Sequence, residues 1–194
     1  MTVSTKSKSP RIVLAFAGAI GSGKSTLSEG VANALGWPRA SFGDFIRKQA
    51  RNPDDRNELQ RIGQTLVLTD VEKFVDDVLA EAPGWEDAGG LVIDGIRHVE
   101  VRLALIYRLK PHKLKLVFVT VNEDMRYIRA QDEHQIDAKM LPRYDQHLTE
   151  AQIPRILPEY ADLKIDNNVP VEFAVDRVIK NFDLHRKHAM AAAE

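Results

Sequence analysis

The sequence predicts an α/β fold with a mainly parallel sheet. Three observations carry this expectation. Short apolar runs alternate along the chain with stretches of helical periodicity. The first run, Arg11–Ala17 (RIVLAFA), lacks the polar alternation of a half-solvated strand and reads as one covered on both faces. The 194 residues, 44% hydrophobic and 28% charged, have the size and balance of one average globular domain.

Each element has a local reason. A glycine turn follows Arg11–Ala17, and a helical pattern runs from about Lys24 to Leu35 until Gly36-Trp37-Pro38 breaks it. Arg39–Phe42 reads as a short second strand and Gly43–Arg51 as a helix, ending in the loop Asn52-Pro53-Asp54-Asp55. A long helix is expected from about Arg56 to Glu81, because Leu59, Ile62, Leu66, Val67, Val71, Phe74, Val75, Val78 and Leu79 recur at helical spacing. Gly63 within it predicts a bend or a close helix approach. Ala82–Ala88 reads as a surface loop, Gly90–Asp94 as the third strand and Val99–Leu109 as a helix. Lys113–Val121, rich in β-branched residues, is the fourth strand, followed by a helix from Glu123 to about Arg129. Residues 131–147 are polar with little periodicity and read as a loop or mobile lid. Glu150–Leu157 reads as a helix, Asp162–Asp166 as the last strand and Val171–Leu184 as a closing amphipathic helix.

Composition removes several classes of function. A chain of this length buries about 70% of its unfolded surface and needs no covalent staple. The absence of cysteine excludes a thiol nucleophile, a thiolate zinc site and an iron–sulfur cluster. The formal charge of −1, from 27 basic and 28 acidic side chains, gives no basic excess for nucleic-acid binding. No apolar run approaches a membrane span. Residues 1–10 are polar and basic with no apolar core, so the expectation is a disordered tail on a cytoplasmic protein, with a second tail at 185–194. A monomer or small homo-oligomer is expected.

One motif carries chemistry. Gly18-Ala19-Ile20-Gly21-Ser22-Gly23-Lys24-Ser25 fits GxxxxGK[ST], the phosphate-binding P-loop, and Thr26 follows it. Glycines let the backbone curl so that several N–H groups point at one place, and the next helix adds its positive end. Lys24 would reach the β- and γ-phosphates, the Ser25 hydroxyl would ligate Mg²⁺, and Thr26 would begin packing the helix. An apolar strand before the motif and a helical pattern after it supply the required context. Opposite it, Leu91-Val92-Ile93-Asp94-Gly95-Ile96-Arg97 puts an acid at the carboxyl end of a buried strand, where ligands of open α/β sheets bind. Asp94 there could hold the Mg²⁺ water shell or orient an attacking group, Gly95 would let substrate approach the backbone, and Arg97 would clamp an anion.

With these motifs in place the chain resembles the P-loop nucleoside monophosphate kinase superfamily. The P-loop GAIGSGKST is one shared stretch. Ser41-Phe42-Gly43-Asp44-Phe45-Ile46-Arg47 looks like the STGD-x-x-R element of adenylate kinases, with Phe42 in place of the threonine. Asp94-Gly95-Ile96-Arg97 is similar to their aspartate–glycine–arginine segment. Glu58–Gln64 looks like the helix of phage-type deoxynucleoside monophosphate kinases, and Ala161–Asn167 resembles the closing segment of dephospho-CoA kinases. The resemblance implies a three-layer αβα P-loop NTPase fold with a five-stranded parallel sheet. It implies one kinase domain over residues 11–184 with a small lid at about 131–147.

It also implies ATP·Mg²⁺-dependent phosphoryl transfer to a small nucleotide-like acceptor. A nucleoside or deoxynucleoside monophosphate is favoured, because Arg47 and Arg97 are placed for a phosphate; a dephospho-CoA-like acceptor and a nucleotide-binding switch that transfers nothing stay open. On this reading Gly18–Thr26 bind ATP, with the backbone near Asn167 meeting the adenine. Asp44 lies beside the acceptor, accepting its proton or binding its sugar. Of the lid candidates Arg126, Arg129, Arg143 and Arg155, Arg129 is the preferred catalytic one, with Arg143 arriving on closure. Nothing else in the chain suggests a site: the histidines form no HExxH, the His185/His188 pair lies in the tail, there is no GxSxG elbow, and Asp54/Asp55 and Asp76/Asp77 read as solvated faces. Trp37 and Trp85, in breaks, are expected to anchor loops.

Overall fold

The computed structural model describes residues 9–134 and 137–186. The expected tails at 1–8 and 187–194, including His188, lie outside these residues, as do residues 135–136 of the expected lid. Five strands, β1 (Ile12–Ala17), β2 (Arg39–Ser41), β3 (Gly90–Ile96), β4 (Lys113–Thr120) and β5 (Leu163–Asp166), form one sheet in the order β2-β3-β1-β4-β5. Every neighbouring pair is parallel. β1 lies centrally, so the chain leaves its carboxyl end where the strand order switches sides, the crevice in which such sheets bind ligands.

The period-2 alternation of β1 explains the three layers. Val13, Ala15 and Ala17 face one apolar layer; Leu14 and Phe16 face the other. The first layer is covered by α3 (Arg56–Leu79), through Phe74, Val75 and Val78, and by α5 (Val99–Arg108), through Val101 and Leu105. The second is covered by α1 (Lys24–Leu35) and, at the end of the chain, by a helix over Val171–Asn181. A Cβ on Gly30 of α1 would come within 2.9 Å of Val175, so glycine sets how closely these two helices approach.

The remaining helices differ from expectation in instructive ways. α2 (Phe42–Gln49) takes Phe42 from the expected strand, because Ser41 caps it and accepts a hydrogen bond from the Asp44 amide at 3.1 Å. α3 is interrupted at Asp70, which has extended backbone (φ −161°, ψ 88°) and accepts from the Lys73 amide at 2.9 Å. A mid-helix aspartate thus stops one helix and caps the next. Gly63 serves close packing: a Cβ there would sit 3.1 Å from Ile46 of α2, and the backbone break lies elsewhere. The expected surface loop at Ala82–Ala88 contains a short helix, α4 (Trp85–Ala88).

The segment read as an irregular lid is largely helical among its described residues. α6 (Glu123–His134) runs past Arg129, a 3-10 turn covers Ala138–Met140, and α7 (Leu141–Asp145) follows. Leu141 is fully buried against Ile20 and Ala130, which anchors α7 to the turn between β1 and α1. α8 (Leu148–Arg155) precedes a 3-10 turn at Leu157–Tyr160. The closing helix, α9 (Val171–Asn181), stops before the expected Leu184. No helix among the described residues is long and apolar enough to cross a membrane.

Candidate active site

The loop between β1 and α1 is held in shape from behind. Gly21 and Gly23 both have φ +76°, a left-handed conformation that favours glycine, and a Cβ on Gly23 would collide with the Asn167 amide nitrogen. The Ser22 carbonyl accepts a hydrogen bond from Asn167 Nδ2 at 2.9 Å, and Arg129 reaches the Asn167 carbonyl at 3.1 Å. The Ile20 carbonyl accepts from Arg126 Nε at 2.9 Å, and Arg126 also ion-pairs with Asp145 of α7. Three donors from α6 and from the end of β5 therefore fix the loop carbonyls that a cradle must turn away from its anion.

Lys24 opens α1 and is buried. Burial, reinforced by the charge of Arg97, lowers its pKa to about 7, although Asp94 pulls the other way. An ammonium held so far below its ordinary range gains more from an incoming anion than a solvated lysine does. Ser25 and Thr26 are exposed at the start of α1; Thr26 therefore does not pack the helix as expected.

One cleft joins this loop to a cluster of arginines. Ile20, Lys24 and Ser25 line it together with Arg47, Arg56 and Arg97. Aliphatic and aromatic side chains from α2 and α3, among them Ile46, Leu59 and Phe74, complete the wall. The sequence placed Lys24, Asp94, Arg47 and Arg97 at one site, and the structure brings them to this cleft.

Asp94 lies near the carboxyl end of β3, which is buried throughout, and is 3% exposed. Its Oδ2 takes Arg39 Nη2 at 2.7 Å, while Oδ1 is buried without a hydrogen-bond partner. Arg39 also reaches Asp44 Oδ2 at 3.2 Å and Ser28 Oγ at 3.1 Å. Arg47 takes the other oxygen of Asp44 at 2.7 Å. Both oxygens of Asp44 are thus engaged by arginines, which suits a residue that orients Arg47 better than one that removes a proton. Arg97 is ion-paired with Glu150 of α8, and Arg56 meets the same Glu150 oxygen at 3.3 Å. Burial is the main cause that lowers Arg97 to about 9 and Arg56 to about 10, with neighbouring guanidiniums adding to it; both stay charged at neutral pH.

The residues present fit a magnesium–triphosphate group. Asp94 Oδ1 is an orphaned buried carboxylate oxygen, and the Ser25 hydroxyl stands at the same cleft. Among the described residues no three His, Cys, Asp or Glu side chains gather into a metal cage. This agrees with the habit of Mg²⁺ of binding one or two carboxylates together with substrate phosphates.

The lid arginines fall elsewhere. Arg129 and Arg126 support the P-loop from outside and do not line the cleft, and Arg143 and Arg155 are exposed. The Asn167 side chain, expected near adenine only through backbone, tethers the P-loop. Asp162, part of the dephospho-CoA-kinase-like stretch, binds Lys115 at 2.7 Å and the Leu116 amide at 2.8 Å, a sheet-edge role. The sequence reading missed Arg39, Arg56 and Glu150. Arg39 carried a usable signal, a charged residue opening a three-residue strand ahead of two buried residues. Glu150 and Arg56 carried none, since they meet across 94 residues of chain.

The family model described as AAA domain matches residues 14–153. No curated protein matches the chain in sequence. Among solved structures, the shikimate kinase of Acinetobacter baumannii in complex with shikimate superposes with a TM-score of 0.58 at 13% identity, covering 90% of this chain and 94% of that one. The Mycobacterium tuberculosis APS kinase in complex with AMPPNP and APS gives 0.58 at 19% identity, covering 90% and 99%. The Deinococcus radiodurans tunicamycin resistance protein gives 0.56 at 12% identity, covering 91% and 98%. At such identities the likeness establishes the fold, the P-loop αβα architecture, and the matched residues span both the P-loop and the arginine cluster.

Proposed function

The chain belongs to the AAA domain family, and on that premise we propose that it transfers the γ-phosphoryl group of ATP to a small anionic acceptor. The observation that carries this is one cleft lined both by the P-loop residues Ile20, Lys24 and Ser25 and by Arg47, Arg56 and Arg97. A donor tail on the P-loop and an acceptor anion on the arginines would meet there. The kinases among the structural neighbours, named for shikimate and APS, agree with a small-molecule acceptor. A nucleoside or deoxynucleoside monophosphate is the first candidate, because its phosphate matches the arginines and its base matches the apolar wall.

Phosphoryl transfer asks for alignment and charge neutralisation more than for covalent help. In this proposal the amides of Gly18–Ser25 and the Lys24 ammonium hold the donor phosphates. Bound Mg²⁺, held by Ser25 and Asp94, would offset charge on the β- and γ-oxygens. Arg47, oriented by Asp44, and Arg97 hold the acceptor anion. Arg39 keeps Asp94 and Asp44 in register with each other. Arg129 acts from the donor side by fixing the loop, and residues 131–147 serve as the lid of one domain over 11–184, with Arg143 delivered on closure. The surrounding apolar side chains exclude water, which would otherwise compete as acceptor.

The test is a screen of ribo- and deoxynucleoside monophosphates and dephospho-CoA with ATP·Mg²⁺, using Lys24→Ala as the blank. Slow ATP turnover that rises with one defined acceptor supports the proposal. Turnover that no small acceptor raises would turn the reading toward a nucleotide-dependent switch.

A further inference from the structure

Glu150 is the one acidic side chain of the cleft that the proposed chemistry does not use. It is 2% exposed, and one oxygen, Oε1, serves both Arg56 and Arg97. The other oxygen, Oε2, is buried without a hydrogen-bond partner. A carboxylate built purely to neutralise two buried arginines would offer each guanidinium its own oxygen, because the guanidinium fork matches two oxygens at once. Leaving a buried carboxylate oxygen bare is unfavourable, because it gives up its hydration and gains no partner. The arrangement therefore satisfies the arginines incompletely and the carboxylate incompletely.

A phosphate group repairs both deficits. Its oxygens can serve two guanidinium forks separately, and its arrival would let Glu150 leave for solvent. The exchange replaces one anion by another between Arg56 and Arg97, so neither guanidinium is left buried and uncompensated. The position is suitable, because Glu150, both arginines, Arg47 and Lys24 line the same cleft.

We propose that Arg56 and Arg97 form the anion subsite for the acceptor, and that Glu150 is its internal occupant, displaced when the acceptor's phosphate binds. This rests on the kinase reading for the word acceptor, whereas the subsite and its occupant do not need it. Arg56 becomes a binding residue by this assignment, and Glu150 sets the acceptor affinity by competition.

The test uses the full chain in a Lys24→Ala background, which disables the P-loop, with inorganic phosphate as probe at matched ionic strength. Adding Glu150→Gln should tighten phosphate binding by calorimetry by about tenfold or more. Adding Arg97→Ala to that pair should abolish the gain. Glu150→Gln will also lower the melting temperature, since it strands two buried arginines, and phosphate should restore it far more than it raises that of Lys24→Ala alone. Glu150→Asp, which withdraws the carboxylate by one methylene, should show a smaller gain in the same direction. Equal or weaker phosphate binding in both Glu150 variants would overturn the proposal and leave Glu150 a fixed structural ion. Failure of both variants to fold even in phosphate would overturn it as well. None of these readouts involves ATP, so a protein that binds phosphate this way yet transfers nothing would defeat the kinase reading and leave the subsite standing.

Discussion

Lys24 shows how much a single buried charge can report. With its pKa near 7, it is largely protonated below neutrality and largely neutral above it. A bound triphosphate favours the ammonium and raises that pKa toward the ordinary lysine value. Below pH 7 the lysine is charged both before and after binding, so affinity should be insensitive to its titration. Above pH 7 binding must take up a proton, and affinity should fall by up to about tenfold per pH unit. Calorimetry at pH 8 in buffers of different ionisation enthalpy should record uptake of about one proton per ATP·Mg²⁺. Uptake unchanged in Lys24→Met would remove the lysine from this account. Arg39 gives a second test: Arg39→Ala strips Asp94 of its partner at 2.7 Å and leaves Asp44 to Arg47 alone. The loss should cost about 2–3 kcal/mol of stability in urea unfolding, less than a fully buried pair because Arg39 retains some exposure. Residues like Lys24 were legible because the P-loop is local: its glycines, lysine and serine are adjacent in sequence. Arg56 and Glu150 were not, because a charged side chain in a helix start looks the same whether it faces water or a partner far along the chain.

Elements were legible in proportion to the apolar surface they bury. β1, β3 and β4 sit deep in the sheet and announce themselves as continuous apolar runs. α6 beyond Arg129 and α7 do not, since among the described residues only Ala130 and Leu141 there are fully buried, too few for a period to show. That makes Leu141 unusually important for its size. Leu141→Ala should cost about 2–5 kcal/mol locally and free Ile20, its neighbour in the P-loop. The expected signature is faster hydrogen exchange at the amides of residues 20–23 and weaker ATP binding, with the rest of the sheet unchanged. Weakened protection throughout the sheet would place Leu141 in the global core instead. The interruption of α3 failed for a different reason. Asp70 lies in an otherwise regular apolar pattern, and periodicity does not register that its side chain caps Lys73. Asp70→Ala should lower stability by about 1 kcal/mol, as for an ordinary N-cap, and Asp70→Ser should restore most of it.

At the scale of the molecule, a chain with a net charge of −1 gathers its cations in one place. Among the described residues, Lys24, Arg39, Arg47, Arg56 and Arg97 gather with Asp44, Asp94 and Glu150 at and beside the cleft. The balanced total thus conceals a local positive field, which low-dielectric walls concentrate. The free protein bears the cost: burial first, and then the charge of neighbouring guanidiniums, lowers Lys24, Arg56 and Arg97. An anionic ligand should therefore stabilise the whole fold by relieving that repulsion as well as by its contacts. At a concentration one hundred times its dissociation constant, ATP·Mg²⁺ should add about 2.7 kcal/mol to the unfolding free energy. For a domain of this size that raises the melting temperature by about 5–10 °C. Lys24→Ala should lose most of the shift, because it removes the cation nearest the donor phosphates. Arg47→Ala should keep it, because Arg47 belongs to the acceptor's arginines. A thermal shift lost equally in both variants would mean that the P-loop and the arginines do not divide donor from acceptor, and the assignment of Arg47 would fall with it.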